Sequence, residues 1–451
     1  MSVRRLETDY LVVGAGAMGM AFTDELLALD ANARIVLVDQ HAQPGGHWND
    51  GYPFVSLHQP AAYYGVNSEW LGSGGAALAS RVEILAYYER VLRKLLRTGR
   101  LRHFPQCVYR GDGAFESLLE PGLRYRVDVR KSRVDATYMN VQVPSTRPPP
   151  FPVADGIEIV PPNELPGLRE PRSGYVVIGG GKTGIDAVLF LLEREVCPDR
   201  ITWIVPNDAW LLPRELLKPE NLGDSNVEPE AFAGAGSLDE VFEILERKRR
   251  IVRLSKDVWP TKYRCATVDA EELKRLHRLH DVVRLGRVLR IESGEIVLER
   301  GRLATDVERL HVDCTADGLA KRPVRPVFSG DTITLQSLFM CQQVFSAAVI
   351  GRIESGYDDE SQKNELCRVV QHPEFTRDYV LAMAITTENM ENWGRHFGWW
   401  LRKSRLSFLH HPSLFRLVRS GLRARKSRAE SAAGMQRILA QEFPGRDFSA
   451  R

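Results

Sequence analysis

Two glycine-rich turns, each set between an apolar strand and a helix, constrain the fold of this chain of 451 residues more than any other feature. The first lies in DYLVVGAGAMGMAFTDELLAL and the second in GYVVIGGGKTGIDAVLFLLE. Both follow the pattern G-x-G-x-x-G, whose glycines allow a tight turn, close approach of a ligand to the backbone, and close helix–strand packing. The repetition predicts an α/β chain with two Rossmann-like units. The glycines concerned are Gly14, Gly16 and Gly19 in the first turn and Gly179, Gly181 and Gly184 in the second.

The first turn is followed by a carboxylate at an informative distance. The next predicted strand, ARIVLVDQ, ends in Asp39 and Gln40, about 20 residues after the glycines, where an acid binds a ribose hydroxyl pair. The helix that begins near Ala17 and Met18 would offer free N–H groups and a partial positive charge to a pyrophosphate. A turn that merely closes a β-α unit does not explain Asp39, so the sequence predicts a bound dinucleotide.

The second turn contains Lys182 and Thr183, which also suggest the phosphate loop of nucleoside triphosphatases. That motif needs a further glycine at the position of Val176, so we exclude it. The following strand, RITWIVP, ends without a carboxylate in the register of Asp39, which favours NADPH over NADH because a 2′-phosphate would meet no repulsion. Lys182 and Arg214 are the candidate phosphate partners, and a solvated surface cation is the alternative for each.

A pair of adjacent glycines after the first turn gives a resemblance to a known family. Gly45, Gly46, His47 and Trp48 closely follow Asp39 and resemble the G-G-x-W turn of flavin-containing monooxygenases and Baeyer–Villiger monooxygenases. The chain follows the order of that family from about residue 7 to about residue 350. The resemblance implies that Gly46, His47 and Trp48 lie along the phosphate and ribityl chain of FAD. Core packing is the alternative for Trp48.

The resemblance also implies a domain order, in which an NAD(P)-type domain interrupts the FAD domain, and the residue pattern adds a basic helical C-terminal region. Two further cofactor contacts follow from that order. Val108, in a strand-like stretch, would lie at the adenine, and Gln336 would reach the flavin ring. The predicted segments are 1–165 (FAD domain, first part), 166–318 (NAD(P)-type domain), 319–392 (return to the FAD domain) and 393–451 (basic C-terminal region).

The function implied by the resemblance is an FAD-dependent oxidoreductase, in particular an NADPH-dependent monooxygenase that oxygenates a small organic substrate through a flavin C4a-(hydro)peroxide. His58 and Gln59 stand where the family places a flavin-facing polar residue and are the candidate catalytic residues. The family fingerprint F-x-G-x-x-x-H is absent from GIEIVPPNELPGLREP, before the second turn. Two alternatives therefore stay open: a flavin oxidase or dehydrogenase that does not use NADPH, and a non-catalytic FAD-binding protein.

The composition limits which partners the protein is expected to bind and in which compartment it is expected to act. The 61 Lys and Arg nearly balance the 58 Asp and Glu, so no nucleic-acid partner is expected. The six cysteines are scattered without C-x-x-C or metal-ligand spacing, which predicts no metal site and mostly buried thiols in a reducing cytoplasm. We expect no signal peptide and no membrane span, because no apolar run approaches about 18 residues.

The C-terminal region from Trp393 interleaves Lys and Arg with Trp, Phe and Leu. This pattern favours helices packed on the FAD domain, and an amphipathic segment in peripheral contact with a membrane is the alternative. A homodimer is a further alternative that the sequence leaves open.

Overall fold

The structure is a computed structural model, and its described residues are 2–170, 172–221, 227–316, 318–410 and 429–445. The strands are β1 (Ser2–Val13), β2 (Ile35–Val38), β3 (Leu101–Phe104), β4 (Cys107–Gly111), β5 (Ala114–Ser117), β6 (Leu123–Asp135), β7 (Ile159–Val160), β8 (Tyr175–Ile178), β9 (Ile201–Ile204), β10 (Ala209–Pro213), β11 (Lys262–Val268), β12 (Val282–Val283), β13 (Val288–Ile291), β14 (Glu295–Leu298), β15 (Gly301–Ala304), β16 (Leu310–Asp313), β17 (Phe328–Ser329) and β18 (Thr332–Thr334). The α-helices are α1 (Ala17–Leu29), α2 (Arg81–Leu96), α3 (Lys182–Glu193), α4 (Val227–Gly234), α5 (Leu238–Arg247), α6 (Ala270–Leu276), α7 (Gln343–Glu354), α8 (Glu360–Glu365) and α9 (Thr376–Lys403).

The first sheet has β1 at its centre. Its strand order is β17-β18-β6-β1-β2-β3, and the β4–β5 hairpin joins the edge of β6 in antiparallel fashion. β1 pairs in parallel with β2 and β6, and α1 and α7 pack against each other in the core beside the sheet. All four residues of β2 are buried, as expected for a parallel strand covered on both faces.

The second sheet is a separate parallel sheet with the order β12-β9-β8-β16-β7. Each residue of β8, β9 and β16 is buried, and α3 runs back from the end of β8 as the glycine turn predicts. Two smaller sheets accompany it, the parallel pair β10–β11 and the antiparallel meander β13-β14-β15.

The chain returns to the first sheet after the second one is complete. β18 pairs in parallel with β6, where Thr332 lies opposite Arg133 and Thr334 opposite Asp135. The first sheet is therefore interrupted by the second, which confirms the predicted fold class of two Rossmann-like units with a helical C-terminal segment.

The first part of the basic C-terminal region packs on the core of the first sheet. Trp393, Phe397 and Leu401 on α9 are buried in the same hydrophobic cluster as α1 and α7. The buried guanidinium of Arg405 donates hydrogen bonds of 2.7–2.9 Å to the carbonyls of Ala62, Tyr64 and Val66. The packed alternative thus holds for residues 393–410, whereas residues 411–428 and 446–451 lie outside the described part of the chain.

Within the described ranges, no helix combines the length and the apolar character that crossing a membrane requires.

Candidate active site

A cavity of about 1200 Å³ lies where the two Rossmann-like units face each other. Gly14 and Gly16 of the first turn and Gly179 and Gly181 of the second turn all line it. Its volume exceeds the roughly 300–1,000 Å³ of ordinary small-molecule pockets. The cavity therefore has room for more than one ligand, with a glycine turn on each side.

The first glycine turn lies in close contact with the backbone of Gly46. Gly16 is the N-cap of α1, and a Cβ built on Gly46 would lie 2.9 Å from the Cα of Gly16, where φ of Gly46 is +56°. Gly19 has a different role, because its Cβ would lie 1.9 Å from the carbonyl oxygen of Gly14 and would push α1 off β1. Gly16, Ala17, Met18 and Gly46 line the cavity, so the prediction for them agrees with their position.

Asp39 is buried at the end of β2 and already has several partners. Its carboxylate accepts hydrogen bonds from the N–H of Ala15 (2.5 Å) and the N–H of His41 (2.7 Å). His41 Nδ1 lies 3.0 Å from Asp39 and its Nε2 lies 3.0 Å from Asp50. The hydrogen bond to Asp39 raises the pKa of His41 to about 8. Sequence reasoning missed His41, although its place two residues after the acid was visible.

The G-G-x-W turn forms a short 3-10 helix, Gly46–Asn49, on the wall of the cavity. Trp48 is buried in the core, lines the cavity and donates from its Nε1 to the hydroxyl of Tyr64 at 2.6 Å. His47 also lines the cavity, and burial lowers its pKa to about 4. Gln40 and Val108 line the same wall.

The second turn repeats the local geometry of the first. Gly181 is the N-cap of α3, and a Cβ on Gly184 would lie 1.9 Å from the carbonyl oxygen of Gly179. Lys182 and Thr183 line the cavity, but the ammonium of Lys182 is in an ion pair with Asp186.

The prediction for Arg214 is wrong in this structure. Arg214 is buried outside the cavity lining, and its guanidinium donates to Asp269 at 2.7 Å and to Glu272 at 2.7 and 3.0 Å. Two carboxylates pair with its charge, which leaves it a weaker candidate for a phosphate than an unpaired cation. The exposed Arg287 lines the cavity together with Asn207, and among the described residues its guanidinium has no hydrogen-bond or ion-pair partner.

The prediction for Gln336 also needs correction. Gln336 is 2% exposed and is not part of the cavity lining. Its amide exchanges two hydrogen bonds with the backbone of Arg325, at 2.9 and 3.2 Å. With both polar ends of its side chain used in the fold, it cannot reach a flavin ring.

His58 and Gln59 both line the cavity. The side chain of His58 is open to the cavity but lies deep within the protein, and this removal from bulk water lowers its pKa to about 4, with a further contribution from Lys182. His58 is therefore a neutral imidazole at neutral pH. Gln59 is fixed, because its Oε1 accepts a hydrogen bond of 2.7 Å from Nε2 of Gln342.

A cationic cluster on the cavity wall was not foreseen. Lys262, Arg264 and Lys321 line the cavity and converge on Glu374, with distances of 2.5–2.9 Å. Burial alone would raise the pKa of Glu374, but the hydrogen bonds from these cations outweigh it and lower the pKa to about 2.

The prediction of unpaired thiols is wrong for two of the six cysteines. Cys265 and Cys341 form a disulfide on the cavity wall, although 76 positions separate them in the sequence. The remaining cysteines are free, and these are Cys107, Cys197, Cys314 and Cys367.

Comparison with known proteins identifies relatives of this chain. Residues 12–66 match the NAD(P)-binding Rossmann-like domain family. The uncharacterized protein Rv2000 of Mycobacterium tuberculosis (strain ATCC 25618 / H37Rv) is 46% identical in an alignment of 428 residues that covers 90% of this chain and 78% of the relative. The uncharacterized protein Mb2023 of Mycobacterium bovis gives the same values. The chain belongs to the family of these mycobacterial proteins.

Solved structures of the same fold come from Baeyer–Villiger-type enzymes. Cyclohexanone monooxygenase from Rhodococcus sp. Phi1 bound to NADP+ is similar with a TM-score of 0.52 and 14% identity, over 94% of this chain and 99% of that chain. A closed crystal structure of cyclohexanone monooxygenase gives the same values. The predicted resemblance is thus confirmed at the level of the fold.

Proposed function

We propose that this protein is an FAD-dependent oxidoreductase that uses NADPH and acts as a monooxygenase on a small organic substrate. The observation that carries the proposal is that both dinucleotide-binding turns open into one cavity. Two dinucleotides bound there would meet, as a hydride transfer between them requires. The shared fold with a cyclohexanone monooxygenase bound to NADP+ supports the same conclusion.

The residues of the first turn fit FAD. The N-terminus of α1 would hold a pyrophosphate, and the backbone contact of Gly16 with Gly46, which a Cβ on Gly46 would force apart, keeps the two turns together beside it. The Asp39 carboxylate would accept the ribose hydroxyls. Gln40 and Val108 would contact the adenosine, and His47 and Trp48 would lie along the ribityl chain.

The residues of the second turn fit NADPH, but a different arginine from the one predicted is the partner of the 2′-phosphate. Gly179 and Gly181 with the N-terminus of α3 would hold the pyrophosphate. Arg287, which lines the cavity and has its guanidinium free within the described chain, replaces Arg214 as the proposed partner of the 2′-phosphate.

A bound flavin would accept a hydride from the nicotinamide and pass electrons to dioxygen. The contribution of the chain is to orient the ligands and to exclude water from the cavity. His58 is neutral and has both ring nitrogens free of hydrogen bonds within the described residues, so it can donate or accept a proton at the reacting centre. Gln59, held by Gln342, would position the substrate beside it.

One observation favours a second candidate, a flavin oxidase or dehydrogenase that does not take NADPH. Lys182 is neutralised by Asp186 and Arg214 by two carboxylates, so two of the cations near the second turn are already paired. The two candidates differ in what reduces the flavin.

The test is an anaerobic stopped-flow experiment on the purified protein. After the bound flavin is identified by its absorbance spectrum, the protein is mixed with NADPH and, in parallel, with NADH. We expect rapid bleaching with NADPH and slower bleaching with NADH. A flavin that neither nucleotide reduces would point to the second candidate, and a protein that takes up no FAD on reconstitution would refute both.

We also propose the segment limits 1–165, 166–318, 319–392 and 393–451, a cytoplasmic place of action, and a small-molecule substrate. A homodimer and a peripheral membrane contact belong to the same group of proposals. Trp399, which is 74% exposed with Lys403 above its ring, is the described side chain best placed for a membrane contact.

A further inference from the structure

The cavity contains a group that the proposed function leaves unused, the disulfide between Cys265 and Cys341. Cys265 comes from β11, and Cys341 stands just before α7, which puts their Cα atoms 6.5 Å apart. Both residues line the cavity together with the two glycine turns. The disulfide is thus open to whatever the cavity binds.

The two sulfurs differ in access. Cys265 is only 6% exposed, whereas Cys341 is partly exposed and faces the cavity. Both have left-handed backbone, with φ of +55° and +60°. This conformation is uncommon for residues other than glycine and concentrates at functional sites. An electron donor in the cavity would therefore meet Cys341 first.

His372 supplies an acid–base group beside the disulfide. Its imidazole lies within 4.8 Å of both sulfurs and lines the same cavity. Its Nδ1 is buried and has no hydrogen-bond partner among the described residues. Burial lowers the pKa of His372 to about 4, so the ring is neutral at neutral pH, and its unpaired Nδ1 can relay a proton between the sulfurs and the cavity.

The N-terminus of α7 favours a thiolate on Cys341. The helix begins at Gln343 with Gln342 as its N-cap, directly after the cysteine. The free N–H groups and the partial positive charge of such a helix end lower the pKa of a nearby thiol. The cavity, the disulfide, the free histidine and the helix end together make a site suited to reversible thiol chemistry.

We propose that Cys265 and Cys341 are a redox-active dithiol–disulfide pair that accepts two electrons from the reduced flavin in the cavity. The S–S bond breaks, the sulfurs take up two electrons and two protons, and the donor is oxidised by two electrons. One proton comes with the donor as part of a hydride equivalent, and the other reaches the sulfurs through His372. This inference rests on the proposed function for its donor, and it adds a second electron-accepting centre to the protein.

The first experiment counts electrons in the whole protein. FAD-loaded protein is titrated anaerobically with sodium dithionite until the flavin is fully bleached. The wild type should consume two two-electron equivalents per flavin, and the Cys265→Ser/Cys341→Ser double variant should consume one. Cys367→Ser is the matched control, because Cys367 is a free, buried thiol outside the cavity lining, and it should consume two.

The second experiment follows the sulfurs themselves in the wild type, so it does not depend on the folding of any variant. Protein taken before and after reduction is quenched in acid, labelled with N-ethylmaleimide and analysed by peptide mass spectrometry. We expect Cys265 and Cys341 to be unlabelled in the oxidised protein and labelled after reduction. The His372→Gln variant should still consume two two-electron equivalents of dithionite per flavin, but Cys265 and Cys341 should become labelled more slowly.

Three results would overturn the proposal. The first is labelling of Cys265 and Cys341 in the oxidised protein, and the second is a disulfide that survives complete bleaching of the flavin. The third is one zinc ion per chain in place of the disulfide. Failure of the proposed function gives a different pattern. In that case NADPH does not bleach the flavin, while dithionite still opens the disulfide through it.

Discussion

Arg287 and Arg214 carry the same charge, but their surroundings give them opposite roles. Arg214 is enclosed by Asp269 and Glu272, whereas Arg287 lines the cavity with its guanidinium unpaired within the described chain. We expect Arg287→Ala to raise the Kd of NADPH by about 10-fold to 100-fold, because losing one charge-assisted phosphate contact costs about 1.5–3 kcal/mol. The Kd of NADH should change little. Both constants are measurable by fluorescence titration.

Arg214→Ala is the matched control for that measurement. It should lower the stability of the protein by leaving two carboxylates facing each other, and it should keep the ratio of the two Kd values. If Arg287→Ala weakens NADPH and NADH equally, Arg287 does not bind the 2′-phosphate.

His41 gives a prediction about pH. Its folded-state pKa of about 8 lies above the unpaired value of 6.5, so protonation stabilises the folded state. This stabilisation is complete below about pH 6.5, is lost as the pH rises through about 8, and amounts to about 2 kcal/mol. We expect the free energy of unfolding of the wild type to fall by about that amount between pH 6 and pH 9, relative to His41→Gln. Urea denaturation at both pH values tests it, and equal pH profiles for the two proteins would contradict it.

His58 and Gln59 belong to the proposed oxygen chemistry. Replacing either with alanine should leave the rate of flavin reduction by NADPH intact and should divert electrons to hydrogen peroxide, since a hydrogen-bonding group and part of the water exclusion are lost. Peroxide yield per NADPH consumed is the measurement. Ser56→Ala, a change on the same cavity wall, is the control. If both variants couple as well as the wild type, the loop is structural.

At the scale of elements, the contact between the first glycine turn and the G-G-x-W turn makes the sharpest prediction. Gly46→Ala should reduce FAD affinity at least tenfold, because the new Cβ would lie 2.9 Å from the Cα of Gly16 and would push apart two turns that both line the cavity. Gly99→Ala is the matched control, since Gly99 has a similar left-handed φ of +67° and open space around its Cβ. The bound flavin after gel filtration measures the outcome. Equal loss of flavin from both variants would trace the effect to backbone strain alone.

These elements also show how far the sequence could predict the site. The glycine turns, Asp39 and Trp48 were predictable, because a strand, a turn and a helix adjacent in sequence fix their geometry locally. Arg214 and Gln336 were misplaced because their partners lie in other elements, at Glu272 and Arg325. The disulfide was missed for the same reason, since its cysteines come from separate elements and no short-range spacing announces it.

At the scale of the whole molecule, Arg405 holds the C-terminal segment to the first unit. Arg405→Ala should lower the free energy of unfolding by about 3–5 kcal/mol, because three buried carbonyls lose a charged donor. Lys403→Ala changes an exposed cation two positions away and should stay within about 0.5 kcal/mol of the wild type. Urea denaturation distinguishes the two. A small effect of Arg405→Ala would mean that the segment is held by its aromatic residues instead.

The late return of β18 to the first sheet has a consequence for how the protein is made. On the ribosome, the strands of the second sheet, from β7 to β16, have all emerged before Thr332–Thr334 can pair with β6 and before α7 can cover α1. Domains generally fold as units during synthesis. The first unit therefore waits for its last strand while the inserted unit closes ahead of it, and its proposed cofactor site is completed only late in translation.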